Sequence, residues 1–199
     1  MPAEWVRDFD AAARRTLEER MRYAFIHTYK PVLDDAEYRS FDSMADYRRW
    51  CDENLIAAAF ERHRVRYLFL GTGAIILGYP DTTQDADIFV ERTENGRALA
   101  AALAELGFPL TPEHRQEIER GKDFVQLRYG PFDLDLVFAP DGIATFAEAL
   151  RRAVVVEGIP VCHIDDIIRS KEATGRPKDR ESLPRLRAFR DWWVRQRRP

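Results

Sequence analysis

The sequence predicts an α+β fold: a small mixed β-sheet flanked by helices and preceded by a helical N-terminal extension. The first third has apolar residues at helical spacing, and the middle contains short β-rich runs bounded by glycine and polar residues. Helix-like and strand-like segments then alternate, an order that an α/β arrangement would also fit. We place the extension at residues 1–63 and the sheet domain, with its basic C-terminal helix, at residues 64–199.

Two helices account for the extension. Residues 10–29 consist of strong helix formers with apolar side chains on one helical face, and Pro31 ends this run. A second helix is predicted over 43–63, because Ser43 followed by Asp46 is typical of a helix N-terminus. This part of the sequence contains no recognisable group of catalytic residues.

The strands of the sheet are short. A β-rich run over 66–70 stops at Gly71, and a second over 86–90 is bounded by polar residues. Gly130 and Pro131 separate two later strands and predict an antiparallel hairpin. The remaining predicted elements, in chain order, are a helix over 93–106, the hairpin strands over 123–129 and 133–138, a helix over 143–152, a strand over 154–161 interrupted at Gly158, a helix over 164–174 and a final helix after Pro177.

Charge is unevenly distributed along the chain. Residues 69–168 carry 17 acidic and 8 basic side chains, whereas residues 169–199 carry 4 and 11. This asymmetry predicts a site that concentrates cations next to a surface that prefers polyanions. A solvated helix that ends the protein is an equal alternative for the tail. In the first case RNA phosphates would be bound by the helix arginines, Arg185, Arg187, Arg190, Arg195, Arg197 and Arg198. Ser182 and Pro184 predict a cap or a kink in the same helix.

The composition argues against several classes of protein. No apolar run approaches about 18 residues and the first residues carry charges, so neither a membrane span nor a signal peptide is expected. The chain has two cysteines, Cys51 and Cys162, and no zinc-like spacing of Cys and His. Neither a disulfide framework nor structural zinc is therefore expected. These features predict a cytoplasmic protein.

A glycine pair follows the first predicted strand. Gly71, Thr72 and Gly73 stand between this strand and an apolar helical turn. Backbone amides and a hydroxyl at such a position can hold a phosphate tail. A tight turn without a ligand is the alternative.

Two pairs of aspartates stand at alternate positions on predicted strands. Asp85 and Asp87 project from one face, where two carboxylates repel each other unless a cation lies between them. Such oxygen ligands suit Mg²⁺, and the alternative is a charged, solvent-facing strand edge. Asp133 and Asp135 repeat the spacing. If their strand lies beside the first, Asp135 completes a three-carboxylate cluster of the kind used in two-metal phosphoryl transfer, with Asp133 as the alternative third acid.

Together these features resemble the nucleotidyltransferase (polymerase β-like) superfamily. The segments GTGAIILGYPDTTQDADIFV, FDLDLVFAPDG and IDDIIRSKEATGRPKDRESL look like the bacterial minimal nucleotidyltransferases that include the AbiEii-type toxins, over about residues 64–192. The resemblance implies a Mg²⁺-dependent enzyme that moves an NMP from an NTP to a hydroxyl on RNA such as tRNA, on a protein or on a small molecule. For a toxin of this family it also implies a cognate antitoxin. The alternative is a non-catalytic nucleotide- or RNA-binding module on the same fold.

The resemblance also implies roles for individual residues. Contact with the nucleotide phosphates falls on Gly71, Thr72 and Lys171. Metal binding and catalysis fall on Asp85, Asp87 and Asp135. A supporting role falls on the later RxKD segment, with Arg176, Lys178 and Asp179.

The sequence departs from the family pattern at three points. Thr72 stands where glycine or serine is usual, and it keeps a hydroxyl. The spacing between the glycine turn and the DxD motif is one residue shorter than the common pattern. Asp81 stands where these proteins often carry arginine after proline. The last two departures bear on the acceptor side of the site rather than on the metal.

Overall fold

A computed structural model of the protein describes residues 1–16, 56–81, 83, 85–92, 95–130 and 133–197. Its six-stranded mixed sheet flanked by helices confirms the predicted mixed sheet and is compatible with the α+β class. The described helices are α1 (Ala3–Ala13), α2 (Ile56–Arg62), α3 (Gly73–Ile76), α4 (Asn95–Glu105), α5 (Pro112–Arg120), α6 (Phe146–Arg152), α7 (Ile164–Thr174) and α8 (Pro177–Gln196). The described strands are β1 (Tyr67–Phe69), β2 (Asp85–Val90), β3 (Phe124–Leu127), β4 (Asp133–Val137), β5 (Val154–Val156) and β6 (Ile159–Val161).

The strand order of the sheet is β3-β4-β2-β1-β6-β5. At its centre β2 runs antiparallel to β1 and parallel to β4, while β6 runs parallel to β1. An antiparallel pair lies on each side, β3 with β4 and β5 with β6. The hairpin predicted at Gly130 is therefore confirmed. So is the interruption at Gly158, whose φ of +88° forms the turn between β5 and β6.

One hydrophobic cluster joins the sheet to the helices, and both described parts of the extension belong to it. Phe9 of α1 is fully buried against α8, with ring centroids 5.3 Å from Phe189 and 5.8 Å from Trp192. Phe60 of α2 packs edge-on against Tyr67 of β1 at 4.9 Å. The described residues of the extension thus pack directly on the sheet domain.

The first helix differs from its prediction. It begins at Ala3 rather than Asp10 and ends at Ala13, and residues 14–16 are not helical. The buried residues of α1 are Phe9 and Ala12, so its packing against the rest of the protein depends on the second half of the helix. Residues 17–29 and 43–55 of the two predicted helices lie outside the described residues. The described end of the second is α2.

No element is predicted where α5 lies, although its N-terminal signal is in the sequence. The Thr111 hydroxyl accepts a hydrogen bond from the His114 N–H at 3.1 Å, and Pro112 follows the cap at the first helical position. The sequence of this helix, PEHRQEIER, shows no apolar periodicity, and Ile118 is its one buried residue. A periodicity search misses such a helix, whereas the Thr-Pro cap identifies its start.

The last helix runs without a break through both residues that predict a cap or a kink. Ser182 donates a hydrogen bond to the Asp179 carbonyl one turn earlier at 3.0 Å, and Pro184 lies in the helix interior. The predicted cap is therefore wrong. Although α8 has 20 residues, no described helix has an apolar stretch long enough to cross a membrane.

Candidate functional site

Three aspartates converge on one face of the sheet, on its neighbouring strands β2 and β4. The parallel register of β2 and β4 sets Asp85 beside Asp133 and Asp87 beside Asp135. Burial alternates over the first half of β2 as predicted, with Ala86 buried and the two flanking aspartates partly exposed, whereas the last three residues of the strand are all buried. One carboxylate oxygen from each of Asp85, Asp87 and Asp135 lies within 4.8 Å of the others. The structure therefore brings together the three acids that the sequence predicts.

Asp133, the alternative third acid, lies outside this cluster. Its half-exposed carboxylate pairs with Arg128 at 3.0 Å. The Asp135 side chain is only 10% exposed. Its Oδ1 accepts a hydrogen bond from Gln126 Nε2 at 3.1 Å and lies 3.3 Å from an Arg128 nitrogen. Sequence reasoning missed Gln126 and Arg128, because only the register of β3 on β4 places them beside Asp135.

The electrostatics of the cluster suit a bound cation. Burial raises the pKa of Asp87 to about 7, and repulsion from Asp85 and Asp135 adds to the increase. The pKa of Asp135 is also raised, first by burial, although the hydrogen bond from Gln126 opposes the increase. Crowded carboxylate oxygens of this kind are the hard ligands that Mg²⁺ prefers. The donor set therefore fits the metal that the family resemblance implies.

The glycine turn lies directly against the second aspartate strand. The Thr72 hydroxyl accepts a hydrogen bond from the Asp87 N–H at 3.1 Å and donates one to the Asp85 carbonyl at 3.2 Å. Thr72 is only 3% exposed. A Cβ atom at Gly71 would overlap the Asp87 carboxylate, so any larger residue here would displace that carboxylate. Gly71 lines the cleft beside the acids, whereas the Thr72 hydroxyl faces the backbone of β2.

Cations from α7 and α8 line the same cleft, which has a volume of about 220 Å³. Two of them hold the fully buried Asp179: Lys171 Nζ at 3.2 Å and Arg176 Nε at 2.7 Å. Burial raises the pKa of Asp179, but these hydrogen bonds outweigh it and the pKa lies below its ordinary value. Lys178 forms no ion pair with a carboxylate that the structure describes. Its charge lowers the pKa of Asp87, so it faces the acids.

The rest of the cleft is mixed in character. Its further lining residues are Ala74, Ile75, Tyr79, Asp81, Thr83, Ser182 and Leu186. Asp81, which stands where proteins of the resembling family often carry arginine, is exposed and is part of this lining. This difference from the family pattern therefore lies in the cleft itself. Taken together, the lining is more polar than apolar, which suits a charged ligand better than an apolar one.

The arginines of α8 are largely engaged with the protein's own acids. Three ion pairs at 2.6–2.9 Å are Arg185–Asp8, Arg187–Glu172 and Arg190–Asp165. Arg197 lies over the Trp193 ring at 4.0 Å, and Arg198 lies outside the described residues. These contacts favour the solvated-helix interpretation of the basic tail over a dedicated RNA surface.

Comparison with protein-family models found no match to this chain. Comparison with curated proteins found none either.

Proposed function

We propose that this protein is a Mg²⁺-dependent nucleotidyltransferase that moves an NMP from an NTP to a hydroxyl acceptor. The observation that carries the proposal is the cluster of Asp85, Asp87 and Asp135 in a cleft that cations also line. A metal-bound triphosphate needs carboxylates that hold the metal and cations that bind the phosphate oxygens. The family resemblance adds RNA, including tRNA, a protein or a small molecule as acceptor, and a cytoplasmic toxin with its antitoxin as setting.

Each residue of the cluster has a role in this reaction. Asp85, Asp87 and Asp135 would hold Mg²⁺, which when bound neutralises charge on the phosphate oxygens and the departing pyrophosphate. The acceptor oxygen bonds to the α-phosphorus while the bond from that phosphorus to the β-phosphate oxygen breaks. Asp135 would take the proton of the acceptor hydroxyl, because a carboxylate beside the reacting oxygens can act as a general base.

The triphosphate requires cations that are not fully engaged elsewhere. Lys171, to which the resemblance assigns this contact, is held by Asp179. Lys178 faces the acids without a described carboxylate partner, so we assign it the principal phosphate contact. Lys171 and Arg176 would then shape the cationic wall through their shared buried acid.

Lys178→Ala is expected to raise the KM for NTP by about 10- to 100-fold, because a charge-assisted hydrogen bond is worth about 1.5–3 kcal/mol. Lys178→Arg keeps the charge and is expected to retain most of the affinity. Steady-state kinetics provide the measurement. Lys122→Ala is the matched control, since Lys122 pairs with Glu117 away from the cleft. An unchanged KM in Lys178→Ala together with a raised KM in Lys171→Ala would return the contact to Lys171.

The proposed activity is tested by incubating the purified protein with each α-labelled NTP, Mg²⁺ and total cellular RNA or protein. We expect label in a macromolecule with the wild type and with Asp133→Ala, whose aspartate lies outside the cluster. We expect none with Asp85→Ala, because the metal site then loses a ligand. Transfer by Asp85→Ala would overturn the proposal. Mg²⁺-dependent NTP binding without transfer to RNA, protein or small-molecule hydroxyls would favour the binding-module alternative.

A further inference from the structure

We infer that the turn formed by Leu70, Gly71 and Thr72 acts as a template for the metal ligands, with Thr72 as a positioning residue rather than a phosphate contact. The inference rests on the proposed function, because it concerns the same site. It reassigns the hydroxyl to which the family resemblance gives contact with the nucleotide phosphates.

The Thr72 hydroxyl continues the hydrogen-bond ladder between β1 and β2 beyond the end of β1. Backbone pairing ends where the Leu70 N–H donates to the Asp87 carbonyl at 2.9 Å. The hydroxyl then takes the place of the next peptide group, since it donates to the Asp85 carbonyl and accepts from the Asp87 N–H. A hydroxyl is both donor and acceptor, so one side chain meets both backbone groups. It thereby fixes the backbone on both sides of Ala86, between the two metal-binding aspartates.

The same two hydrogen bonds leave the hydroxyl unsuited to a phosphate. Phosphate oxygens only accept from it, and its single hydrogen is already donated to the Asp85 carbonyl. Thr72 is 3% exposed and is not among the residues that line the cleft. A phosphate contact would therefore require Thr72 to turn away from β2, which would remove the partner of the Asp87 N–H and leave the Asp85 carbonyl with only its hydrogen bond from the Thr83 hydroxyl at 2.8 Å.

Gly71 adds an independent contact to the same ligand. A Cβ at this position would overlap the Asp87 carboxylate, so the missing side chain leaves the space that the carboxylate occupies. Asp87 is thus held at its carbonyl by Leu70 and at its amide by Thr72, while Gly71 leaves room for its carboxylate. Two residues of the turn set the backbone of this metal ligand, and the third accommodates its side chain.

The test is Mg²⁺ binding without nucleotide, measured by calorimetry on wild type, Thr72→Val, Thr72→Ser and Gly71→Ala. We expect Thr72→Val to weaken Mg²⁺ affinity about tenfold, because two hydrogen bonds to the ligand strand are lost. Thr72→Ser should remain within about twofold of wild type, since it keeps the hydroxyl. Thr174→Val, which removes an exposed helical hydroxyl, is the matched control and should leave affinity unchanged. In the transfer assay we expect Thr72→Val to lower kcat with little change in the KM for NTP.

Gly71→Ala extends the test if Thr72→Val fails to fold, because it displaces the Asp87 carboxylate while the Thr72 hydroxyl remains. Unchanged Mg²⁺ affinity in Thr72→Val, with a KM for NTP raised tenfold, would make the hydroxyl a phosphate contact and overturn the inference. A lower Tm with unchanged Mg²⁺ affinity and kcat would show a merely structural role and overturn it too. Absence of Mg²⁺ binding by the wild type would overturn the proposed function before any variant is compared.

Discussion

Asp87→Asn is expected to lower nucleotidyl transfer by about 10³-fold and, in the absence of divalent cations, to stabilise the protein at pH 8. The loss of activity follows because an amide is a poor Mg²⁺ ligand compared with a carboxylate, and metal stabilisation of the transition state is worth several kcal/mol. The gain in stability follows because the wild-type Asp87 carboxylate is charged in a buried position, next to two other carboxylates. A residue that serves function at the expense of stability is expected to show both effects.

The sign of the stability change follows from the raised pKa of Asp87. Folding shifts this pKa from 3.8 to about 7, so the folded protein binds the proton more tightly than the unfolded chain does. The metal-free wild type therefore loses stability as the pH rises from about 4 to 7, and the loss persists above pH 7. Access of solvent to the carboxylate reduces the full effect of the shift, so we expect Asp87→Asn to gain on the order of 2 kcal/mol at pH 8.

Thermal unfolding in EDTA between pH 5 and pH 8 measures this gain, and Mg²⁺ should reverse the order of stability because it binds the wild type more tightly than the variant. Mg²⁺ affinity of the wild type should fall about tenfold for each pH unit below 7, as Asp87 becomes protonated. Asp133→Asn is the matched control, because this carboxylate is outside the cluster. An Asp87→Asn protein that is no more stable than wild type at pH 8 would contradict the conclusion that the charged Asp87 carboxylate destabilises the metal-free protein.

The sequence predicts the site as far as local periodicity reaches. Alternation along β2 places Asp85 and Asp87 on one face, and the structure has them there. The choice between Asp133 and Asp135 depends instead on contacts between strands: the register of β2 on β4 sets Asp135 beside Asp87, and Gln126 of β3 donates a hydrogen bond to Asp135. Such contacts are set by strand register and not by spacing along one strand.

The cationic wall shows the same limit. Lys171 and the RxKD segment mark the cations of the cleft. Their spacing along the chain does not indicate that Asp179 is fully buried between Lys171 and Arg176. That arrangement arises from the packing of α7 against α8. Because Lys171 is engaged with Asp179, Lys178 is the residue to which the proposal gives the phosphate contact. The sequence thus identifies the charged residues of the site, whereas which of them pair with one another depends on tertiary contacts.

Helix α1 could not be placed from its own periodicity, because its packing partner α8 is far away in sequence. Trp192 Nε1 donates a hydrogen bond to Asp10 at 3.1 Å, and Arg185 pairs with Asp8 at 2.7 Å. These polar contacts flank the fully buried Phe9 ring. The helix therefore supports α8, which contributes Lys178 and Ser182 to the cleft.

Phe9→Ala is accordingly expected to destabilise the protein by about 3–5 kcal/mol, because it leaves a cavity between α1 and α8. The corresponding decrease in Tm is about 10 °C for a chain of this size. Thermal unfolding provides the measurement, and Phe124→Ala is the matched control because Phe124 is 45% exposed. At low temperature, where the variant stays folded, transfer should remain near the wild-type rate, since Phe9 is not among the cleft residues.

An unchanged Tm in Phe9→Ala would mean that α1 contributes nothing to the core. Its apolar face would then be available to a partner, such as a second copy of the chain or an antitoxin. A decrease in Tm with a proportionate loss of transfer at low temperature would instead mean that α1 sets the position of α8 over the cleft. Destabilisation with retained transfer is the result expected from the observed packing, in which Phe9 contacts Phe189 and Trp192 of α8 and lies outside the cleft lining.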